Sequence, residues 1–133
     1  MSLIVQKYGG TSVGTVERIE AVAKKVAASH REGNQLVVAV SAMSGETNRL
    51  IGLANEISSD TNLREMDVLV STGEQVTIAL LCMVLQKLGI DALSYTGSQV
   101  RILTDNAHGK ARIKEIDNNP LASHLSAIKP PRK

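Results

Sequence analysis

The chain opens on Leu3-Ile4-Val5-Gln6-Lys7-Tyr8-Gly9-Gly10-Thr11-Ser12-Val13-Gly14, and this stretch decides the fold class. A short apolar strand runs into a lysine and a glycine-rich turn, and a helical periodicity begins at Val16. Glycine lets the main chain approach an anion closely, and a helix N-terminus favours negative charge. The pattern therefore predicts a phosphate-binding turn, while glycines kept there for turn geometry alone remain the alternative interpretation.

The turn matches neither common nucleotide-binding fingerprint. Gly9, Gly10 and Gly14 do not fit G-x-G-x-x-G, and the chain contains no G-x-x-x-x-G-K-[ST]. A Rossmann or Walker-type site is therefore not supported. Lys7 leaves the strand beside the turn, where its ammonium group would neutralise phosphoryl oxygens during transfer.

Composition points to one soluble domain of the α/β class. The 133 residues are 43% hydrophobic, but with two Tyr and no Phe or Trp the core must be aliphatic. No leader peptide or membrane-spanning stretch is expected, so the protein is predicted to be cytoplasmic. Cys82 is interpreted as a packed thiol, and the three histidines share no ligand spacing with it, so no metal site is predicted.

The basic character of the chain comes from its last residues. Residues 1–117 carry 12 of the 15 basic side chains and all 13 acidic ones, so this part is close to neutral. Aromatic side chains for base stacking are almost absent. Both observations argue against a nucleic-acid partner.

Alternating strand and helix patterns predict a parallel sheet with strands near residues 3–8, 35–41 and 90–95. Thr15 is a candidate N-cap of the first helix. The second strand ends in another small-residue loop, Ser41-Ala42-Met43-Ser44-Gly45. Both loops should meet at the carboxyl edge of the sheet, where open α/β sheets bind ligands.

Two helices are expected between the second and third strands. The first begins near Thr47 or Asn48, and the second follows Ser71-Thr72-Gly73-Glu74 and ends at Gly89. Glu74 would then lie near a helix N-terminus. It is either an acid that stabilises the helix dipole or one that receives a substrate ammonium group, and spacing alone does not choose.

The last part of the chain changes character. Residues 102–116 predict a hairpin, whereas residues 118–133 contain all three prolines and give at most one weak helical turn. We therefore divide the chain into a domain over 1–117 and a disordered tail over 118–133.

Three segments together are more specific than any one of them. Lys7–Gly14, Val38–Asn48 and Ser71–Gln75 occur in the order and approximate spacing of aspartokinases, and Asp105–Ala111 resembles the next segment of that family. Residues 2–117 thus resemble the N-terminal part of a bacterial aspartokinase, a member of the amino-acid kinase superfamily. The resemblance implies an incomplete three-layer αβα fold of the carbamate kinase-like type, with a mainly parallel sheet.

The resemblance also implies an activity and its residues. Aspartokinases transfer the γ-phosphoryl group of ATP, with Mg²⁺, to the side-chain carboxylate of L-aspartate, giving 4-phospho-L-aspartate on the route to lysine, threonine and methionine. Carried over, Lys7 would be catalytic, Thr47 and Glu74 would hold aspartate, and the nucleotide phosphates would be bound by Lys7, Tyr8, Gly9, Gly10, Thr11, Ser12 and Ser41.

Family members continue past the segment matched by residues 105–117 into a second half with a G-R-G-G-S-D motif and the nucleobase site. Residues 118–133 do not resemble that continuation. We therefore expect a truncated kinase that is inactive alone and active only with a complementing chain that carries the missing half; a homo-oligomer is the other partner state expected. The alternative is a non-catalytic remnant, acting as a phosphate-binding or interaction module. A nucleotide-binding module unrelated to aspartate is disfavoured, because Thr47 and Glu74 match the substrate side of the family site.

Overall fold

The computed structural model describes residues 2–128. Four helices and four strands follow one another along this part of the chain. In chain order they are β1 (Leu3–Tyr8), α1 (Val16–Arg31), β2 (Gln35–Val40), α2 (Glu46–Ile57), α3 (Leu63–Lys87), β3 (Ile102–Thr104), β4 (Ile113–Ile116) and α4 (Asn119–Ala127).

β1 and β2 form a parallel pair joined by α1, as the sequence predicts. Their register runs from Leu3 opposite Gln35 to Tyr8 opposite Val40. Parallel neighbours need a long crossover connection, and α1 provides it. Thr15 caps α1 by accepting a hydrogen bond from the Arg18 N–H at 3.2 Å. The helix ends before Gly33, whose φ of +96° favours glycine.

The aliphatic core lies on one face of this sheet, between the strands and the helices α1 and α3. Ile19, Val13 and Thr77 are its largest fully buried side chains. On the opposite face of β1, Leu3 and Val5 are 57% and 69% exposed. This face of β1 is therefore left uncovered within the described residues.

The prediction of a strand at residues 90–95 is wrong. Ile90 and Ala92 pack against the core, and the Ala92 carbonyl accepts a hydrogen bond from Gln86 Nε2 at 3.2 Å. No strand pairing is formed here, because the segment lies across a groove from β2 rather than beside it. The apolar pattern is satisfied by side-chain packing, whereas a strand also needs a backbone partner.

α3 is a single helix of 25 residues that runs through the break expected at Ser71-Thr72-Gly73. Ser71 and Thr72 donate their hydroxyl hydrogens to the carbonyls of Val68 (2.8 Å) and Leu69 (2.7 Å), so these polar side chains are satisfied inside the helix. Glu74 therefore lies in the middle of α3. Its interpretation as a first-turn acid that stabilises a helix dipole is wrong.

The hairpin expected over residues 102–116 is confirmed as the antiparallel pair β3–β4. Residues 119–127 form the helix α4 rather than one weak turn, with Pro120 in its first turn, where the missing N–H is not needed. The expected disorder of residues 129–133 falls outside the described residues, and the domain boundary after residue 117 stays a prediction.

α3 is also apolar enough to be compared with membrane-spanning helices. Its most apolar window has a mean hydropathy of 1.8, so by length and composition it passes the test for a membrane span. The core helix of a soluble protein passes the same test. α3 packs against α1 and α2 and buries Leu81 and Leu85, while 22% of its apolar window is buried in the protein.

Candidate active site

The two small-residue loops meet at the carboxyl edge of the β1–β2 pair, as predicted. A Cβ atom at Gly10 would lie 3.3 Å from the carbonyl oxygen of Ala42, and one at Gly14 would lie 3.0 Å from the Cβ of Ser44. The Ser41 N–H donates to the Tyr8 carbonyl at 3.2 Å. Glycine at positions 10 and 14 is what allows this close approach.

The first loop presents backbone donors that the described protein leaves unused. The Ser12 N–H closes a turn onto the Gly9 carbonyl at 3.0 Å. Within residues 2–128, the N–H groups of Gly10 and Thr11 donate to no protein acceptor. A Cβ atom at Gly9 would meet open space. Unused N–H groups beside the start of α1 form a site that suits an anion.

Lys7 and Tyr8 end β1 with their side chains on opposite faces of the sheet. Tyr8 packs against the core, and its hydroxyl donates to Gln6 Oε1 at 3.0 Å. The part of Tyr8 that contacts the loops is therefore its main chain and not its side chain. Lys7 lies opposite Ala39 and is exposed. It forms no ion pair with any residue between 2 and 128, so its ammonium group is available to a ligand.

α3 reaches the second loop through Gly73. A Cβ atom at this residue would lie 3.0 Å from the Cβ of Ala42, and 3.7 Å from both Glu46 Cγ and Leu50 Cδ1. Glu74, the next residue, is exposed one position along α3 from this contact, and it lines the cavity between β2 and residues 90–97. Sequence analysis missed Gly73, although an isolated glycine inside a helical pattern is a recognised sign of close packing.

Two carboxylates near the second loop, Glu46 and Glu74, differ in whether they form an ion pair. Arg49 donates from Nη2 to Glu46 Oε1 at 2.7 Å and from Nε to Oε2 at 3.0 Å. These hydrogen bonds hold the pKa of Glu46 below its ordinary value and raise the pKa of Arg49. Glu74 has no ion pair in the described part of the chain. It is therefore the carboxylate that remains free to receive a cationic group.

The remaining predicted residues lie at the same edge without direct contact. Thr47 is exposed in the first turn of α2, and Ser41 is half-buried at the end of β2. No hydrogen bond joins the side chains of Lys7, Thr47 and Glu74 to one another in residues 2–128. The arrangement is an open site whose groups would be bridged by a ligand.

A carboxylate that sequence analysis missed fixes the segment Asp105–Ala111 on α3. Asp67 accepts the Gly109 N–H at 2.9 and 3.2 Å, and His108 Nδ1 lies 3.3 Å from its Oδ2. Asp67 precedes Glu74 by two helical turns, which is about 10 Å along the same face of α3. Nothing in the local pattern around Asp67 indicates this contact, because its partner lies about 40 residues further along the chain.

Other chemistry is not indicated in the described residues. Burial raises the pKa of the Cys82 thiol, which favours a packed thiol over a nucleophile. Residues 2–128 contain no cluster of three or more His, Cys, Asp or Glu side chains that would hold a metal ion.

Comparison with known sequences places the chain among amino-acid kinases. The sequence model of the amino acid kinase family matches residues 2–130, across the predicted boundary after residue 117. The chain is 66% identical over 127 residues to the aspartokinase of Pseudomonas aeruginosa and 54% identical over 125 residues to aspartokinase 2 of Bacillus subtilis. These alignments cover 96% and 94% of this chain but 31% of each relative.

Solved structures agree with the fold class. Aspartate kinase from Synechocystis superposes with a TM-score of 0.70 at 57% identity, covering 72% of this chain and 16% of that one. Aspartokinase III of E. coli, solved with aspartate and ADP, gives a TM-score of 0.68 over 94% of this chain and 37% of that one. Its identity is 22%, so it supports the fold alone. The chain is a partial α/β domain with the amino-acid kinase fold, and it belongs to the amino acid kinase family.

Proposed function

We propose that this chain supplies one wall of an aspartate kinase site, which transfers the γ-phosphoryl group of ATP to the side-chain carboxylate of L-aspartate. The product would be 4-phospho-L-aspartate, on the route to lysine, threonine and methionine, in the cytoplasm. The observation that carries the proposal is the contact between the glycine loop and the Ser41–Gly45 loop, with Gly73 of α3, the residue before Glu74, packed against Ala42.

The first loop suits the phosphates of a nucleotide. The free N–H groups of Gly10 and Thr11 would donate to phosphoryl oxygens, and the absence of a side chain at Gly9 leaves room for them. Ser12 holds the turn in shape, and Ser41 adds a hydroxyl from the second loop. Phosphoryl transfer asks a protein mainly for positioning and charge neutralisation, and this loop provides both.

Lys7 would follow the charge of the transferring group. Lys7 lies at the end of β1, at the same sheet edge as the loop, and its ammonium group is exposed. It forms no ion pair within residues 2–128, so binding a ligand would break no existing interaction. Mg²⁺ would enter with the nucleotide and neutralise phosphate charge, which fits a described chain that offers no cluster of metal ligands of its own.

Glu74 and Thr47 would hold L-aspartate. The carboxylate of Glu74 would accept the substrate ammonium group, because the neighbouring Glu46 is already bound by Arg49. The Thr47 hydroxyl, in the first turn of α2, would donate to the substrate. The α2 N-terminus beside it favours the negative charge of a substrate carboxylate.

A hydroxamate assay for acyl phosphate tests the proposal. The 133-residue chain alone should give no product, and adding a second chain with the rest of a relative's kinase domain should restore turnover. In that complex Lys7→Ala should raise the activation free energy by about 3 kcal/mol, which lowers kcat roughly a hundredfold. Lys25→Ala, which removes an exposed cation on α1, is the matched control.

Two results would contradict the assignment. Turnover by the isolated chain would show that no complementing chain is required. Equal kinetics for Lys7→Ala and Lys25→Ala in the active complex would remove Lys7 from the catalytic role.

The second candidate function is a non-catalytic module that binds phosphate or a partner protein. The uncovered face of β1, with Leu3 and Val5 exposed, favours it, because such a face suits association with another copy or another chain. It would be supported if the isolated chain bound inorganic phosphate, and if no complementing chain restored product formation.

A further inference from the structure

Arg49 binds the first acidic side chain of α2 at both of its carboxylate oxygens. Its Nη2 lies 2.7 Å from Glu46 Oε1 and its Nε lies 3.0 Å from Oε2, which is the forked arrangement of a guanidinium on a carboxylate. Arg49 is the one basic residue of α2, and Glu46 forms no other ion pair within residues 2–128. The charge of Glu46 is therefore neutralised by Arg49 alone.

Stability does not explain this ion pair. The side chains of Arg49 and Glu46 are 58% and 26% exposed, and exposed pairs contribute little because water screens them. The location of the pair is more informative. Glu46 Cγ would stand 3.7 Å from a Cβ atom at residue 73, so this side chain lies where α2 meets α3. Glu46 also directly precedes Thr47, which the proposed function assigns to substrate binding.

The N-terminus of α2 has no capping side chain. Its N-cap is Gly45, with a φ of +76°, and no side-chain hydrogen bond closes this end of the helix. The first N–H groups of a helix have no acceptor within the helix, and the helix dipole adds to their attraction for an anion. Two kinds of anion compete for such an end: a carboxylate of the substrate and the nearby carboxylate of Glu46.

A Glu46 side chain released from Arg49 would be a strong competitor. Acidic side chains in the first turn of a helix are stabilised by its dipole, and a tethered group has a higher effective concentration than a free ligand. Its charge would also repel a substrate that carries carboxylates of its own. The two hydrogen bonds from Arg49 occupy both oxygens of Glu46 and neutralise the charge, which removes the competition.

We propose that Arg49 is a positioning residue for the substrate: it holds and neutralises Glu46, and thereby keeps the N-terminus of α2 open to a carboxylate of an acidic amino acid. The inference rests on the proposed function, because it takes that substrate to be bound beside Thr47. Arg49 itself touches no substrate atom in this role. It acts through Glu46 alone.

Two variants separate this role from a structural one. Arg49→Ala removes the ion pair and leaves Glu46 charged, whereas Arg49→Ala combined with Glu46→Gln lacks the same ion pair but has no free carboxylate. Loss of a structural contact would impair both variants equally. Release of a competing charge would impair only the first. Arg64→Ala is the matched control, because Arg64 forms an exposed ion pair with Glu65 in the first turn of α3.

The kinetic test uses the kinase completed by a second chain. Arg49→Ala should raise KM for aspartate about fivefold with little change in kcat, because competition at the binding site weakens ground-state and transition-state binding alike. The double variant should return KM to within about twofold of the wild type, and Arg64→Ala should leave it unchanged. Equal KM values for Arg49→Ala and the double variant would overturn the proposal, whatever value they share.

Hydrogen exchange of the 133-residue chain alone gives a readout that needs no turnover. In Arg49→Ala the released Glu46 carboxylate should accept an amide hydrogen of Thr47 or Asn48 and slow its exchange about threefold or more. The double variant should exchange at the wild-type rate. Equal exchange in the two variants would overturn the proposal. Slower exchange in Arg49→Ala, without turnover in any completed complex, would refute the proposed function and still support the hold of Arg49 on Glu46.

Discussion

Gly73→Ala should destabilise the chain, although alanine is the better helix former. The added methyl group would lie 3.0 Å from the Cβ of Ala42, inside the separation of about 3.5–4.0 Å at which carbon atoms attract. Glu46 and Leu50 stand 3.7 Å away on the same side, so the second loop has little room to retreat. Either this loop or α3 must therefore move.

Two opposing effects set the size of the change. Replacing glycine by alanine inside a helix contributes about 1 kcal/mol of stability. Overpacking a tight contact costs about 1–3 kcal/mol. The net loss for Gly73→Ala is therefore about 0–2 kcal/mol. Gly52→Ala in α2 is the matched control, because a Cβ atom there meets nothing within 4 Å and the variant should gain the full helix contribution.

Urea unfolding followed by helical circular dichroism measures the difference between the two variants. With a slope of about 2 kcal/mol per molar urea, the midpoint of Gly73→Ala should fall about 0.5–1.5 M below that of Gly52→Ala. If both variants raised the midpoint equally, α3 would not pack tightly on the second loop. The link between Glu74 and that loop through Gly73 would then lose its basis.

Three further outcomes are expected. Glu74→Gln in the complemented enzyme should raise KM for aspartate about tenfold with little change in kcat, since the charged partner of the substrate ammonium group is lost. Glu56→Gln, at an exposed position on α2, should leave this KM unchanged. Equal KM values for the two variants would refute the role of Glu74 in binding aspartate. Asp67→Ala should cost about 1 kcal/mol of stability and speed hydrogen exchange at the Gly109 amide, so an unchanged exchange rate would contradict the contact. Alkylation of Cys82 should rise with pH at a higher midpoint than that of free cysteine, because burial raises the pKa of its thiol, and a midpoint at or below that of the free amino acid would contradict this.

Local patterns in the sequence predict the elements that are stabilised locally. β1, α1 and β2 have strong apolar periodicity with a clear cap at Thr15, and each lies where it is expected. The hairpin β3–β4 follows the same rule. Loops at the ends of two parallel strands must share one edge, so the meeting of the glycine loop with the Ser41–Gly45 loop is predictable as well.

The features that the sequence did not predict depend on contacts between residues that are far apart along the chain. The segment 90–95 has the composition of a strand, but pairing depends on a neighbour that residues 2–128 do not place beside it. The polar stretch Ser71–Gly73 resembles a break until α2 and the second loop pack against Gly73. The attachment of Asp67 to Gly109 and the pairing of Arg49 with Glu46 likewise need the folded geometry.

Because Gly14 and Ser44 are in close contact, the order in which mutations occur at these two positions affects the stability of the intermediate. The Cβ of Ser44 already occupies the space that a side chain at residue 14 would require. A lineage that first acquires Ser44→Gly removes this nearest contact, so an alanine at residue 14 then meets the Gly10 carbonyl oxygen at 3.3 Å instead. A lineage that changes Gly14 first must pass through a strained intermediate with its phosphate loop displaced. Of the two mutational routes to the same pair of residues, only one keeps the loops together at every step.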